Sequence, residues 1–455
     1  MTIYFLSLRI RFFEKTVTDI AINPPLEVIS DEPLTIKNKK GAIYGIAIGK
    51  DTGHFIVSTY SQIYAVFIQA SPILLSIITS MRNLIQLAVQ LPFGHLSDKY
   101  GRKPFLVTGL LISAVMSFLF PMITDPIFLL IAMIIYSLAF SIFTPSWIAF
   151  LGDSSHEETR GSYIGRITTI TVIFTMIVFL ISGWLIPFLS TDYASQYQII
   201  YRIGGIGFLT AGLISLFWLQ ETNPNGNSEL KLHSHNPPNG ISDRMAARFS
   251  FQNILAPFRE NPTFTRFVLI SAFMDFSMST GWPIFGFIRE RYTTPSQYSF
   301  LWATHMAFQI FSLSIGGKLI DKYGKKIGFN GRKIMFLIPL VLFFARNWVE
   351  LAIGNLIGGI GYGLYFITTT AYIIDSAPED SKGKYVGAYQ LIMGLATFLG
   401  SLSMGVLAEF LIPILGKWPA IYTLVLVVML LRILGGLAFY FVDEPVKPNL
   451  ESKIS

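Results

Sequence analysis

The chain has 455 residues, of which 52% are hydrophobic and only 13% are charged, and its mean hydropathy is +0.55. Because a soluble domain carries roughly 25% charged residues, this composition excludes a soluble fold and indicates a membrane protein. The chain contains no Cys, which excludes disulfides and Cys-ligated metals, and its net charge of +7 lies mainly in loops between apolar runs, which argues against nucleic-acid binding.

The chain begins with residues 1–42, which we interpret as a cytoplasmic extension at the membrane surface. Its apolar run precedes Arg9 and Arg11, whereas a signal peptide has its basic residues first. Beyond it, apolar runs of about 20 residues predict membrane-spanning helices. The twelve predicted spans lie near residues 43–68, 72–93, 104–123, 126–151, 163–189, 199–220, 264–288, 297–317, 332–346, 349–374, 385–412 and 418–442. The ninth is short.

Two charged motifs occur twice along the chain. The segment "GHLSDKYGRK" at Gly94 recurs as "GKLIDKYGKK" at Gly317, and "DSSHEETRGSYIG" at Asp153 recurs as "DSAPEDSKGKYVG" at Asp375. Because the two motifs share nearly the same offset, they predict a duplicated six-helix unit. The predicted parts are a bundle at 43–221, a polar linker at 222–263, a second bundle at 264–442 and a cytoplasmic tail at 443–455.

Lys and Arg collect in alternate loops between the predicted spans. By the positive-inside rule, loops rich in these residues stay in the cytoplasm. The cytoplasmic group is Lys37, Lys39, Lys40, Lys99, Arg102, Lys103, Arg160, Lys318, Lys322, Lys325, Lys326, Arg332, Lys333, Lys382 and Lys384. The opposite side is predicted to carry Arg289, Arg291, Arg346 and Lys417. Both termini are therefore expected to be cytoplasmic, at the plasma membrane.

The loop after the second span carries the most specific motif. Gly94, Asp98, Gly101, Arg102 and Lys103 match the pattern G-x-x-x-D-x-x-G-R-K, and through it the chain resembles the major facilitator superfamily over nearly all residues after 42. The resemblance implies an all-α membrane protein with twelve transmembrane helices in two pseudo-symmetric six-helix bundles.

The same resemblance implies that charged cytoplasmic loops form a latch that holds the bundles together and breaks in the inward-open state. The alternative is that these charges only set the topology. The other residues assigned to this gating motif are Asp153, Glu157, Arg160, Gly317, Asp321, Gly324, Lys325, Asp375 and Lys382.

Ionisable residues inside the predicted spans form two corresponding pairs, Asp51 with Arg82 and Asp275 with His305. Charges within a bilayer are costly, so each pair is a functional hypothesis. We expect Asp275 and His305 to couple transport to protons. Asp51 and Arg82 would set the local electrostatic field or bind an anionic substrate. The alternative is that both pairs only pin helices together. Lys50 is predicted to reach the cytoplasmic surface.

The resemblance also implies that the first, fourth, seventh and tenth spans face a central cavity. With the two charged pairs, this gives a candidate substrate and proton pathway. Its members are Asp51, His54, Arg82, Tyr136, Asp275, Trp282, His305, Tyr362 and Tyr365. Aromatic, hydroxyl and acidic groups of this kind suit a sugar, an organic acid or a cationic amphiphile.

These features predict a secondary transporter that moves a small organic solute by alternating access, coupled to protons, as a monomer without a metal or cofactor. One alternative is a proton-driven drug efflux antiporter. The resemblance implies that such antiporters often have an Arg in the fourth span and a Gly-Pro pair in the fifth, and this chain has neither. A second is a non-transporting membrane sensor. The chain has no H-E-x-x-H, G-x-S-x-G or Walker motif, so no enzyme activity is expected.

Overall fold

A computed structural model describes residues 40–155, 160–222, 251–378 and 382–443, and its regular elements in these ranges are helices. The first half contains α1 (Lys40–Phe67), α2 (Pro72–Tyr100), α3 (Lys103–Leu119), α4 (Pro126–Asp153), α5 (Arg160–Leu189) and α6 (Tyr193–Trp218). The second half contains α7 (Phe251–Glu260), α8 (Pro262–Tyr292), α9 (Pro295–Tyr323), α10 (Lys325–Gly328), α11 (Asn330–Lys333), α12 (Leu337–Phe344), α13 (Trp348–Ser376), α14 (Lys382–Leu415) and α15 (Lys417–Ala438). Single 3-10 turns follow α3, α11 and α15.

The helices confirm the predicted series of twelve spans, with a difference in the ninth and an additional short helix, α7, within the predicted linker. The sequence predicts a ninth helix over 332–346, but α10, α11 and a 3-10 turn precede α12, which is regular only over Leu337–Phe344. Arg332 lies in this interrupted stretch and is buried. The interruption therefore turns a predicted loop cation toward the protein interior.

Seven of the described stretches are long and apolar enough to cross a membrane by length and composition alone. They are Lys103–Met122, Pro126–Asp153, Tyr163–Leu189, Tyr193–Trp218, Trp348–Ser376, Lys384–Leu415 and Lys417–Phe441. Phe188, Phe217 and Phe410 are among the exposed apolar side chains on these helices, as expected for a surface in contact with lipid. Helices such as α1 and α8 carry charged residues within their length, which lowers their mean hydropathy.

Polar caps fix where six of the helices begin. The side chain of each capping residue accepts a hydrogen bond from a backbone N–H of the first turn, which would otherwise lack a partner. The caps are Ser71, Asp125, Asp192, Asn261, Thr294 and Asn347. In four of the six cases Pro follows directly, where its fixed φ suits the first helical position. Short polar segments therefore reverse the chain between apolar helices.

The two halves pack alike. Helix α1 packs against α6 as α8 packs against α15, and α2 packs against α4 as α9 packs against α13. Between the halves, α2 contacts α14 and α5 contacts α9. These corresponding contacts are those of two pseudo-symmetric six-helix bundles, as the repeated motifs predict.

The described hydrogen bonds between the bundles lie near the loop that joins α1 to α2. The Tyr60 hydroxyl donates to the Pro295 carbonyl at 2.8 Å, and the hydroxyls of Thr79 and Ser401 are 3.1 Å apart. Gly405 of α14 lies so close to α2 that a Cβ at this position would overlap with the Ser76 side chain. The bundles are therefore tightly joined at this end, which we call the joined end.

Candidate functional site

A cavity of about 620 Å³ lies between the bundles. Its walls come from α1, α2 and α4 of the first bundle and from a larger set of residues of the second. The described acidic, basic and histidine side chains that line it are His54, Asp275, Arg289, His305, Arg332 and Arg432. Because charges inside a membrane protein are costly, six such groups around one space indicate a functional site.

Asp275 forms an ion pair with Arg332 inside this cavity. Their closest atoms, Oδ1 and Nη2, are 2.6 Å apart, and the Arg332 guanidinium lies 3.2 Å from the centre of the Tyr365 ring. The sequence pairs Asp275 with His305 and places Arg332 in a cytoplasmic loop, and both assignments are wrong. The interrupted ninth span carries Arg332 inward, and its guanidinium pairs with the half-buried carboxylate of Asp275.

His305 faces a different partner on the same wall. Its Nδ1 is 3.2 Å from the backbone carbonyl of Asn355, whose side-chain oxygen accepts a hydrogen bond of 3.4 Å from Arg289. The sequence assigns Arg289 to the outer surface, but this side chain lines the cavity. Asn355 thus connects a histidine and an arginine that come from different helices.

Arg432 is a cavity residue that the sequence analysis missed. Only 1% of this residue is exposed, and its guanidinium donates to the backbone carbonyls of Met278 at 2.9 Å and Met335 at 3.2 Å. The signal was available, because one Arg within an apolar span is expensive and marks a functional position.

In the first bundle, His54 lines the cavity and Asp51 does not. His54 Nδ1 is 2.8 Å from the Tyr136 hydroxyl, and its ring stacks on Phe140 at a centroid distance of 3.9 Å. Asp51 pairs with Lys50, the preceding residue. The side chain of Arg82 lies outside the described part, so the predicted pairing of Asp51 with Arg82 remains a prediction.

Lys50 does not extend to the surface as predicted. It is 9% exposed, and its ammonium group lies 5.9 Å from the Phe143 ring centre and 5.7 Å from that of Trp147. The carboxylate of Asp51 and the faces of two aromatic rings stabilise the ammonium group inside the bundle. Lys50 therefore contacts partners inside the bundle instead of reaching the surface.

Of the four predicted aromatic residues, Trp282 and Tyr362 line the cavity, whereas Tyr136 and Tyr365 are buried and do not. Trp282 lines the cavity, and its backbone carbonyl accepts a hydrogen bond from Gln62 of the other bundle. Tyr362 also lines the cavity and is 45% exposed. Tyr365 is buried, shares a hydrogen bond with Tyr389 and lies beneath Arg332. Tyr365 therefore supports a cavity residue.

The charged loops at the opposite end form ion pairs within each bundle. Arg102 pairs with Asp153 at 2.6 Å in the first bundle, and Lys325 pairs with Asp375 in the second. Among the described residues, no ion pair connects the bundles here. The surroundings of Gly94 and Gly317 and the side chains of Asp98, Glu157, Arg160, Asp321 and Lys382 lie outside the described part. The latch role of these loops remains a prediction.

Glu221 caps the helix that follows the first charged loop. Its carboxylate accepts hydrogen bonds from the backbone N–H groups of Arg102 at 2.9 Å and Lys103 at 2.8 Å. Gly101 has a φ of +91°, and a Cβ there would lie 2.7 Å from the carboxylate. The loop therefore needs glycine both for its backbone conformation and for the approach of Glu221.

Replacing Gly101 by Ala is expected to destabilise the protein by about 1–3 kcal/mol, because the added methyl group strains the backbone and displaces Glu221. The measurement is the melting temperature of the purified protein. Gly387→Ala is the matched control, since a Cβ at this helical position meets nothing within 4 Å. Equal melting temperatures for the two variants would contradict the prediction.

The geometry defines a class of protein. Two pseudo-symmetric helical bundles enclose a charged cavity and are joined by hydrogen bonds at one end, which is the architecture of a multi-pass membrane transporter. A sequence model of the Major Facilitator Superfamily matches residues 42–286 and 267–455. The chain belongs to the Major Facilitator Superfamily.

Individual relatives agree with this assignment. An uncharacterized MFS-type transporter of Methanocaldococcus jannaschii, MJ1560, is 25% identical over 384 residues, which cover 83% of this chain and 93% of that protein. The low-affinity glucose transporter HXT3 of Saccharomyces cerevisiae is 32% identical over 105 residues, or 21% of this chain and 18% of the relative. Multidrug resistance protein 3 of Bacillus subtilis is 27% identical over 158 residues, or 34% of this chain and 29% of the relative.

Solved structures share the fold. The crystal structure of the nucleoside transporter NupG superimposes with a TM-score of 0.65 at 13% identity, over 88% of this chain and 98% of that one. An inward-facing, occupied structure of a bacterial homolog of the human lysosomal transporter Spinster has a TM-score of 0.67 at 14% identity, over 89% and 96% of the two chains. At these identities the likeness concerns the fold alone.

Proposed function

We propose that the chain is a secondary active transporter that moves a small organic solute across the plasma membrane by alternating access. The observation that carries the proposal is the cavity of about 620 Å³, which has walls from both bundles while the described inter-bundle hydrogen bonds lie at one end. If both termini are cytoplasmic, as the Lys and Arg distribution predicts, the joined end faces outward and this conformation is inward-open.

We further propose that protons drive the transport and that Asp275 carries the proton, assisted by His305. Protonation of Asp275 would remove the charge that holds Arg332 at 2.6 Å, so proton binding and the position of an arginine in the cavity would be linked. His305 lines the same space, and its imidazole ring nitrogens can accept and donate a proton.

The alternative of a drug efflux antiporter is supported by the local match to multidrug resistance protein 3. The charge of the cavity argues against a cationic drug, because its described wall has three arginines and one aspartate. A non-transporting sensor remains the alternative of a different class. Transport in the direction of efflux would favour the drug antiporter. The absence of any flux would favour the sensor.

The test is solute flux into proteoliposomes that contain the purified protein, measured with and without a pH gradient. A proton-coupled transporter is expected to accumulate its solute at least about 10-fold above the equilibrium level when the gradient is inward, and a protonophore should abolish that accumulation. Accumulation that ignores the gradient would remove proton coupling. Failure to move any solute of a broad metabolite set would instead favour the sensor.

A further inference from the structure

Positive charge exceeds negative charge on the described wall of the cavity. Arg289, Arg332 and Arg432 line it, and Asp275 is the one carboxylate among its described lining residues. Arg332 pairs with Asp275, which accounts for one positive charge. Arg289 and Arg432 have no carboxylate within ion-pair distance in the described ranges. With both histidines neutral, the wall therefore carries an excess of two positive charges.

The two remaining guanidinium groups converge on one aromatic ring. The Arg432 guanidinium lies 4.9 Å from the centre of the Phe285 ring, and that of Arg289 lies 5.9 Å from the same point. A ring face attracts a cation, but it has no net charge and cannot neutralise two of them. Arg432 is buried, and burying a cation without a counterion is costly, so the arrangement favours an anion that binds beside the ring.

Unpartnered hydrogen-bonding groups on residues of the same cavity point to the same chemistry. Among the cavity-lining residues that the structure describes, the buried side-chain atoms without a partner are all donors. They are Trp302 Nε1, Asn355 Nδ2, Arg332 Nε and Arg432 Nε. These atoms are covered in the present conformation. Each buried donor without an acceptor costs free energy, and a ligand rich in acceptors would remove that cost when the cavity rearranges around it.

The rest of the wall is suited to an apolar group. Phe55, Trp282, Phe285, Trp302 and Tyr362 provide aromatic faces. Four methionines, whose flexible side chains adapt to irregular shapes, also contribute; these are Met133, Met278, Met306 and Met335. A cavity of about 620 Å³ holds a small organic molecule rather than an inorganic ion alone.

We propose that the substrate is an organic anion with an apolar body, and that Arg289 and Arg432 bind its acidic group beside Phe285. This inference rests on the proposed function, because it assigns a substrate class to the same cavity. The acidic group can be a carboxylate or a phosphate ester, since a guanidinium binds both through paired N–H donors.

Four probes that share a phenyl ring test the charge preference. They are 3-phenylpropionate and phenyl phosphate as anions, 3-phenylpropionamide as the neutral analogue and 3-phenylpropylammonium as the cation. Binding to the purified full-length protein is measured by thermal stabilisation and by quenching of tryptophan fluorescence. At least one anion should bind about 10-fold more tightly than the amide and the cation.

Arg289→Gln and Arg432→Gln should each weaken binding of that anion by at least about 10-fold. Arg202→Gln is the matched control, because Arg202 is exposed on α6 and bonds only to Gln198 among the contacts described. Arg289 is partly exposed, so its variant reports on binding even if the variant of the buried Arg432 fails to fold. Preference for the amide or cation, unchanged binding in Arg289→Gln, or no binding of either anion up to about 10 mM would overturn the proposal.

A flux assay with the same probes separates this inference from the proposed function. Uptake of a neutral or cationic probe that is unaffected by Arg289→Gln would overturn the anion preference and leave transport intact. Anion binding that depends on Arg289, without flux of any probe, would support the binding site and count against transport.

Discussion

Oxidation of a Thr79→Cys/Ser401→Cys double variant is expected to abolish transport, and reduction is expected to restore it. The hydroxyls of Thr79 on α2 and Ser401 on α14 are 3.1 Å apart at the joined end, so two thiols there are within reach of a disulfide. Alternating access requires the bundles to separate at this end whenever the cavity opens to that side of the membrane. A covalent bond that prevents separation confines the protein to one state.

The measurement is solute flux in proteoliposomes before and after oxidation, with a mass shift to quantify the disulfide. Flux should fall by at least about 10-fold in the cross-linked fraction and recover with a reductant. Because the natural chain has no Cys, the two introduced thiols are the only ones present.

A second cross-link within one bundle is the matched control. The hydroxyls of Thr52 on α1 and Thr175 on α5 are 3.3 Å apart, and both residues are buried. A Thr52→Cys/Thr175→Cys disulfide therefore joins helices of the same bundle and should leave most of the flux intact if bundles move as rigid units. Full activity of the oxidised Thr79→Cys/Ser401→Cys variant would contradict movement at the joined end.

The fold could be predicted from the sequence because its signals are local or repeated. Apolar runs with polar caps mark helices, and the two charged motifs around Asp98 and Asp321 identify the duplication without knowledge of any contact. The ninth span is the exception. Its interrupted path depends on a buried pairing of Arg332 with another helix, which hydropathy averaged along one segment does not detect.

The cavity residues were only partly predictable, because they too depend on contacts between helices. Counting residues from a loop gives the depth of a side chain in the membrane, but it does not give the rotation of its helix or the neighbour that it meets. Asp275 and His305 both line the cavity, yet each contacts a different partner. Arg432 is a different case, because its position in an apolar span was sufficient to select it.

Replacing Asp275 by Asn is expected to destabilise the protein strongly and to remove proton coupling. The change leaves the Arg332 guanidinium buried without a carboxylate, and loss of one partner of a buried ion pair costs about 3–5 kcal/mol. The measurements are the melting temperature of the purified protein and the pH-gradient dependence of solute flux. Asp443→Asn is the control, since Asp443 pairs with Arg266 at 2.7 Å while both side chains are 60% exposed, and its loss should cost less than about 1 kcal/mol.

The double variant Asp275→Asn/Arg332→Gln separates the two roles of this ion pair. Removing both charges together eliminates the unpaired cation, so most of the lost stability should return. If Asp275 carries the proton, flux in the double variant still fails to respond to a pH gradient, because the titrating group is absent. If the pair only holds helices together, restored stability brings back gradient-driven accumulation, and that result would exclude Asp275 as the coupling residue.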